Sequence, residues 1–266
     1  PPHGAEHLPV TIGRTGHLLL VGVGQVTEMG PDNPKNYQIW NYRKQCVKRT
    51  AQPQRELDFI VTMLDDEGAG DAKNYHAWAY RQWLLVTYPG LWAGELPLTE
   101  RLLADDILNN SAWNHRFFCV CHSEAERAEG EVAEAVALRE VGWAMERLGR
   151  VPENEAAWSY ALSWCRPMPV GSGATTSDAA MAAARDLCLE GCEGLEAEQP
   201  GCVALLGAMG TLLEEEAEAA AGAGDAELQA AAMLAAAEKY ARLAELDAIR
   251  SGYWAALKSS LEGSAA

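Results

Sequence analysis

Three groups of residues in this sequence could do chemistry by type and spacing: seven cysteines, a Gly-x-Gly, and two lysines that each precede an asparagine. Cys119 and Cys121 stand one residue too close for a zinc knuckle, and Cys188 and Cys192 share a helix face without a second pair to complete a site. With Cys46, Cys165 and Cys202 they make an odd number at irregular spacings, which reads as core or surface thiols rather than a disulfide framework. Gly22-Val23-Gly24 lacks the third glycine and the following helix that a dinucleotide loop requires. The lysines remain: Lys35 precedes Asn36-Tyr37-Gln38, and Lys73 precedes Asn74-Tyr75-His76. A lysine in front of a helix is ordinarily a solvated charge, and residue type alone does not separate these two.

The elements that would position them are written in a repeated pattern, Asn-x-x-x-Trp-x-x-Arg. It occurs at Asn36/Trp40/Arg43, Asn74/Trp78/Arg81 and Asn109/Trp113/Arg116, with a partial copy at Asn154/Trp158 that has Ala161 in place of the arginine. The tryptophans are 38, 35 and 45 residues apart, a period that marks stacked helical pairs. Each asparagine is expected to cap a helix by accepting from backbone N–H groups that have no partner inside it. The tryptophan one turn later would fill the gap between pairs, and the arginine at Trp+3 would reach an acceptor on a neighbouring repeat. Both are read as structural.

Helices are expected at about 36–49, 54–65, 74–88, 95–108, from 109 onward, and at 132–148. Further ones are expected at 177–192, 202–220, 226–246 and 253–261, with Gln52-Pro53, Glu67–Gly70, Pro89-Gly90 and 221–224 as breaks. Residues 15–24 read as a strand or a poor helix, and no strand pattern competes after residue 30. The fold class that follows is all-α, a right-handed α-α superhelix, that is, a solenoid of antiparallel helical hairpins. It divides into an atypical segment 1–30, repeats over 31–165 and completing hairpins over 166–266. A formal charge of −17 argues against nucleic acid or an anionic membrane as the main partner. No apolar run is long enough to span a bilayer and no secretory signal opens the chain, so a cytoplasmic protein is expected.

The segments KNYQIWNYR, AKNYHAWAYRQW, LNNSAWNHRFF and VPENEAAWSY closely resemble, in order and spacing, the repeats of the α subunit shared by protein farnesyltransferase and type I geranylgeranyltransferase. A weaker echo of that subunit's last helix lies at Ile249–Trp254. Rab geranylgeranyltransferase α subunits carry related repeats, but YHAW followed by RQW and LW-x-x-EL is more similar to the CaaX enzymes.

The resemblance implies a chain active only with a β subunit, transferring a farnesyl or geranylgeranyl group from its diphosphate to the cysteine of C-terminal CaaX motifs. Zinc and magnesium are then expected in the heterodimer, with zinc on β and no metal or cofactor bound by this chain alone. The β subunit, the isoprenoid diphosphate and CaaX proteins are the implied partners. Lys35 matches the lysine of the family's Lys-Asn-Tyr-Gln motif and would be catalytic, facing the diphosphate. Tyr37 would line the site and Gln38 would bind the peptide carboxylate, while Asn74, Tyr75 and His76 would face the diphosphate and the departing carbon. His115 and His122 receive no role. Residues 1–30 carry no tryptophan copy where the family has further repeats, so an N-terminus cut short or differently assembled is expected. The alternatives are a Rab-type α subunit and a non-catalytic helical scaffold.

Overall fold

A computed structural model describes residues 35–64, 71–123, 127–128 and 130–264. The readings placed on residues 1–34, including the strand or helix at 15–24, and the turn at Glu67–Gly70 lie outside these residues. Eleven α-helices are present among the described residues, in two compact units that divide after Gly94. None is long and apolar enough to cross a membrane.

In the first unit α1 (Tyr37–Thr50) turns into α2 (Pro53–Leu64), and α3 (Tyr75–Thr87) runs into a 3-10 turn at Pro89–Gly94. The expected break at Gln52-Pro53 has a clear cause. Ala51 adopts a left-handed conformation (φ 52°) that lets its N–H close the helix on Val47 O, and Pro53, needing no N–H partner, opens the next. α1 buries Trp40, Arg43, Cys46 and Val47, the i, i+3, i+6, i+7 stripe of a helix lying on its neighbours. The core adds Ile60, Met63 and Leu64 from α2 and Trp78, Leu84 and Leu85 from α3.

The second unit contains α4 (Glu95–Asp105), α5 (Asn110–His122), α6 (Glu134–Leu148), α7 (Glu155–Ser163), α8 (Asp178–Glu198), α9 (Val203–Ala223), α10 (Ala226–Leu246) and α11 (Ser251–Ser264). Its core is aromatic: Trp113 lies 5.0 Å from Trp143 and 5.2 Å from Tyr160, and Phe117 lies 5.1 Å from Trp164. All seven cysteines are buried free thiols.

Two expectations are corrected here. Val132 does not start a helix but pairs with Arg127 in a short antiparallel ladder, β1 (Arg127–Ala128) with β2 (Glu131–Val132). The turn needs a positive φ, which Gly130 supplies at 87°, and the backbone of Thr175 adds hydrogen bonds to Val132 and Gly130 that a helix would have made internally. Helix α8 also runs six residues beyond the expected end at Cys192. Within it, a Cβ on Gly191 would lie 2.6 Å from the terminal methyl of Met145.

Gly210 is the more constrained of these helical glycines. A Cβ on it would meet the buried ring of Tyr240 at 2.5 Å (Cε1) and 2.9 Å (Cζ). Gly210→Ala would regain about 1 kcal/mol of helix propensity but overpack the ring by about 1–3 kcal/mol. The expected outcome is a net loss of stability, read as a lower denaturation midpoint at unchanged m-value.

Candidate functional site

The four motif asparagines are helix caps. The side-chain oxygen of Asn36 accepts from Gln38 N–H (3.0 Å), that of Asn74 from His76 and Ala77 (2.9 and 3.2 Å), that of Asn109 from Ser111 and Ala112, and that of Asn154 from Ala156 and Ala157. The tryptophan then fastens the loop ahead of its own helix. Its indole N–H donates to the carbonyl six residues back, Trp78 to Ala72, Trp113 to Ile107 and Trp158 to Pro152, at 2.7–2.8 Å. A tight turn precedes three of the caps, closed by Asn74 N–H to Asp71 O, Asn109 N–H to Asp106 O and Asn154 N–H to Val151 O. The repeat is therefore a device for holding the start of a helix in a fixed place.

The arginines were expected to reach into a neighbouring repeat. Two bonds do so, Arg81 Nη1 to Leu57 O on α2 and Arg116 Nη1 to Glu100 Oε1 on α4, each at 3.4 Å, while the shorter bonds of Arg43 and Arg116 stay within their own hairpin. Arg43 Nε donates to Glu56 Oε2 on α2 at 2.8 Å and its guanidinium lies 3.5 Å over Phe59; Arg116 Nε donates to Glu140 Oε2 on α6 at 2.6 Å and lies 3.7 Å over Trp143. The glutamate makes the link to the next repeat, because Tyr80 on α3 donates to Glu56 (2.8 Å) and Tyr160 on α7 donates to Glu140 (2.5 Å). Burial alone would raise the Glu140 carboxyl, but the Arg116 guanidinium, the Tyr160 hydroxyl and Arg139 together hold it below the usual range. Burial, followed by the charge of the glutamate, pushes the Tyr80 and Tyr160 hydroxyls upward.

Sequence reasoning missed these glutamates, although two signals point to them. A hydrogen-bonding ring stands at Trp+2 in every copy (Tyr42, Tyr80, His115, Tyr160), and Glu56 and Glu140 each precede an aromatic by three residues.

His115 takes the tyrosine's place, its Nε2 lying 2.8 Å from Glu95 Oε2. With Cys119 they bring three buried donor atoms within 4.8 Å of one another. The equivalent Tyr–Glu pairs make the same contact, so the His115–Glu95 contact belongs to the packing device.

The six candidate residues all lie in the first unit, at the N-terminal ends of α1 and α3. Trp40 meets Tyr80 (ring centroids 5.5 Å apart) and Lys44 and Lys48 both lie over Trp83, so rising positions on α1 match rising positions on α3. The two helices run parallel, and their capped ends lie at the same end of the pair. There Lys35, Tyr37 and Gln38 are exposed, Tyr75 is 77% exposed, and its ring meets the half-buried His76 edge-on at 5.7 Å. Asn74 differs from the rest, being buried (2% exposed) and occupied as a cap. Lys73 is exposed as well, its N–H held by Asp71 Oδ1.

Two exposed tyrosines, a cation, a carboxamide and an imidazole at adjoining helix mouths form an open polar rim. A cavity of about 340 Å³ exists elsewhere, in the second unit, lined by Trp158, Tyr240, Arg250, Tyr253 and Trp254 and by none of the six.

Against known families, the description "Protein prenyltransferase alpha subunit repeat" matches residues 26–50, 53–88 and 92–123, the three complete copies. Together these spans cover about a third of the chain, which over them is similar to this family's repeats. In this chain the matched repeat is, in structural terms, an asparagine cap and a loop-fastening tryptophan, with an arginine on a buried glutamate in the first and third copies. Among relatives, the chain is 42% identical over 69 residues to a Dictyostelium discoideum protein farnesyltransferase/geranylgeranyltransferase type-1 subunit alpha, covering 26% of this chain and 20% of that protein. It is 30% identical over 111 residues to the Saccharomyces cerevisiae geranylgeranyl transferase type-2 subunit alpha, covering 38% and 33%. These matches span a third or less of each relative's length. Over 91% of its length the chain also shares its fold with a chain of Candida albicans protein geranylgeranyltransferase-I complexed with GGPP, with a TM-score of 0.66, 22% identity and 72% of that chain covered. The all-α superhelical class expected from the repeat spacing is the class found.

Proposed function

We propose that this chain is the α subunit of a heterodimeric CaaX protein prenyltransferase, acting in the cytoplasm with a β subunit. The observation that carries the reading is the polar rim: Lys35, Tyr37, Gln38, Tyr75 and His76 gathered at the parallel mouths of α1 and α3, in the motifs that match the family. An open rim cannot exclude water by itself, so a second surface has to close over it before chemistry can occur there.

In the reaction, a cysteine thiolate of the peptide attacks C1 of the isoprenoid, the C1–oxygen bond breaks, and the diphosphate leaves with the bonding pair. Lys35 stabilises the charge that grows on the diphosphate, which is larger in the transition state than in the bound substrate. Gln38 donates to the peptide carboxylate, and Tyr75 and His76 donate toward the leaving group. Asn74 serves by holding the mouth of α3 in place.

Of the six residues only His76 is a common zinc donor, and none offers a carboxylate for magnesium. The set fits an anion rather than a metal. Zinc, which would activate the thiol, is assigned to the β subunit on the resemblance of the repeats to the family.

The Rab-type alternative draws on the likeness to the yeast type-2 subunit. Transfer to a CaaX peptide without an escort protein supports the CaaX assignment. Transfer only to double-cysteine tails, and only with an escort, supports the alternative. A chain that binds no prenyltransferase β subunit would be a scaffold.

A further inference from the structure

Glu56 lies on α2, away from the polar rim, and is buried. One of its oxygens, Oε2, accepts from two helices at once, from Arg43 Nε on α1 and from Tyr80 OH on α3, each at 2.8 Å. Arg43 is seven residues from the cap of α1 and Tyr80 is six from the cap of α3. At about 1.5 Å per residue, each grip sits about 10 Å along a rigid helix from the mouth it controls. Phe59 closes the other side of the Arg43 guanidinium at 3.5 Å, so the arginine has little freedom to compensate for a lost partner.

The same bridge recurs at Glu140, but α5 and α7 open on Asn110-Ser111 and Glu155-Ala156, with no cation or imidazole at either mouth. Only at Glu56, among these two, does the bridge join helices whose mouths carry the candidate residues.

We propose that Glu56 is a positioning residue for prenyl transfer: by joining Arg43 to Tyr80 it fixes the mouth carrying Lys35, Tyr37 and Gln38 relative to the mouth carrying Tyr75 and His76. The inference rests on the functional reading above. Glu56→Gln keeps the shape and one oxygen that can accept from both donors but removes the ion pair with Arg43, so the bridge is weakened rather than emptied.

The test is a kinetic cycle in the reconstituted heterodimer, with rates normalised to active sites. Glu56→Gln is expected to lower kcat about tenfold with peptide KM changed by less than about twofold, because misplacement affects the reacting geometry more than binding. In a Lys35→Ala background the same change should cost less than about twofold, since the group being placed is already gone. Tyr80→Phe removes one arm only and serves if Glu56→Gln does not fold; its smaller kcat loss should shrink in the same background. An equal loss in both backgrounds, or one confined to KM or to the folded fraction, would overturn the positioning role while leaving the prenyltransferase reading intact. A Lys35→Ala heterodimer with unchanged kcat would instead sink the reading of Lys35, and the inference with it.

Discussion

Lys35→Ala is expected to slow prenyl transfer by the heterodimer about a hundredfold, the effect of removing about 3 kcal/mol of transition-state stabilisation from one fixed charge contact. The loss should fall on the chemical step, so single-turnover rates should drop while peptide KM stays nearly constant. Lys73→Ala is the internal control. Both lysines are exposed and each precedes a capping asparagine, but only Lys35 is followed by the Tyr-Gln that completes the family motif. A hundredfold loss at Lys73 with none at Lys35 would move the catalytic role one repeat along and leave the rest of the rim in place.

Glu140→Ala should be the most destabilising single change away from the rim. The carboxylate is fully buried and receives Arg116 through two nitrogens, at 2.6 and 3.1 Å, as well as the Tyr160 hydroxyl and Arg139. Removing it strands the Arg116 guanidinium beside the Trp113, Trp143 and Tyr160 cluster, and breaking a buried pair from one side costs about 3–5 kcal/mol. Glu100→Ala, which removes a half-exposed contact at 3.4 Å from the same arginine, should change stability by less than about 1 kcal/mol.

The pH dependence has a definite sign. The folded-state carboxyl of Glu140 is depressed below its ordinary 4.5, so the unfolded chain takes up that proton first as pH falls. Its contribution to stability is complete above about pH 4.5 and is lost below it, as pH drops through the folded-state value. Denaturation midpoints should therefore fall more steeply between pH 5 and 3 in the parent than in Glu140→Gln, as expected of a group that no longer titrates.

The caps were legible because their partners are local: an asparagine bonds two and three residues ahead, inside the eight-residue pattern. The tryptophans read as fillers between pairs, and their indole bonds to the carbonyl six residues back were not foreseen. The arginine's partner was not legible, for the reason opposite to that of the caps. Arg43 and Glu56 are 13 residues apart but Arg116 and Glu140 are 24 apart, because the β1–β2 turn lies between the latter two, and no fixed spacing marks the pair. The ladder itself was missed because a two-residue strand leaves no periodicity to read. Its cause is the positive φ of Gly130 together with pairing to Thr175, more than forty residues away in sequence. The helix expected to end at Cys192 continues to Glu198 as α8. At the rim, Lys35, Tyr37, Gln38, Tyr75 and His76 could be named from the motifs. Asn74 was read as both cap and ligand, and its burial supports the first role.

Reconstitution tests the central claim most directly: the chain is mixed with a CaaX-prenyltransferase β subunit, isoprenoid diphosphate, zinc, magnesium and a CaaX peptide, and transfer is measured against each polypeptide alone. The account predicts a stable complex and transfer that requires both chains. A β subunit that neither binds this chain nor gains activity from it would contradict the account.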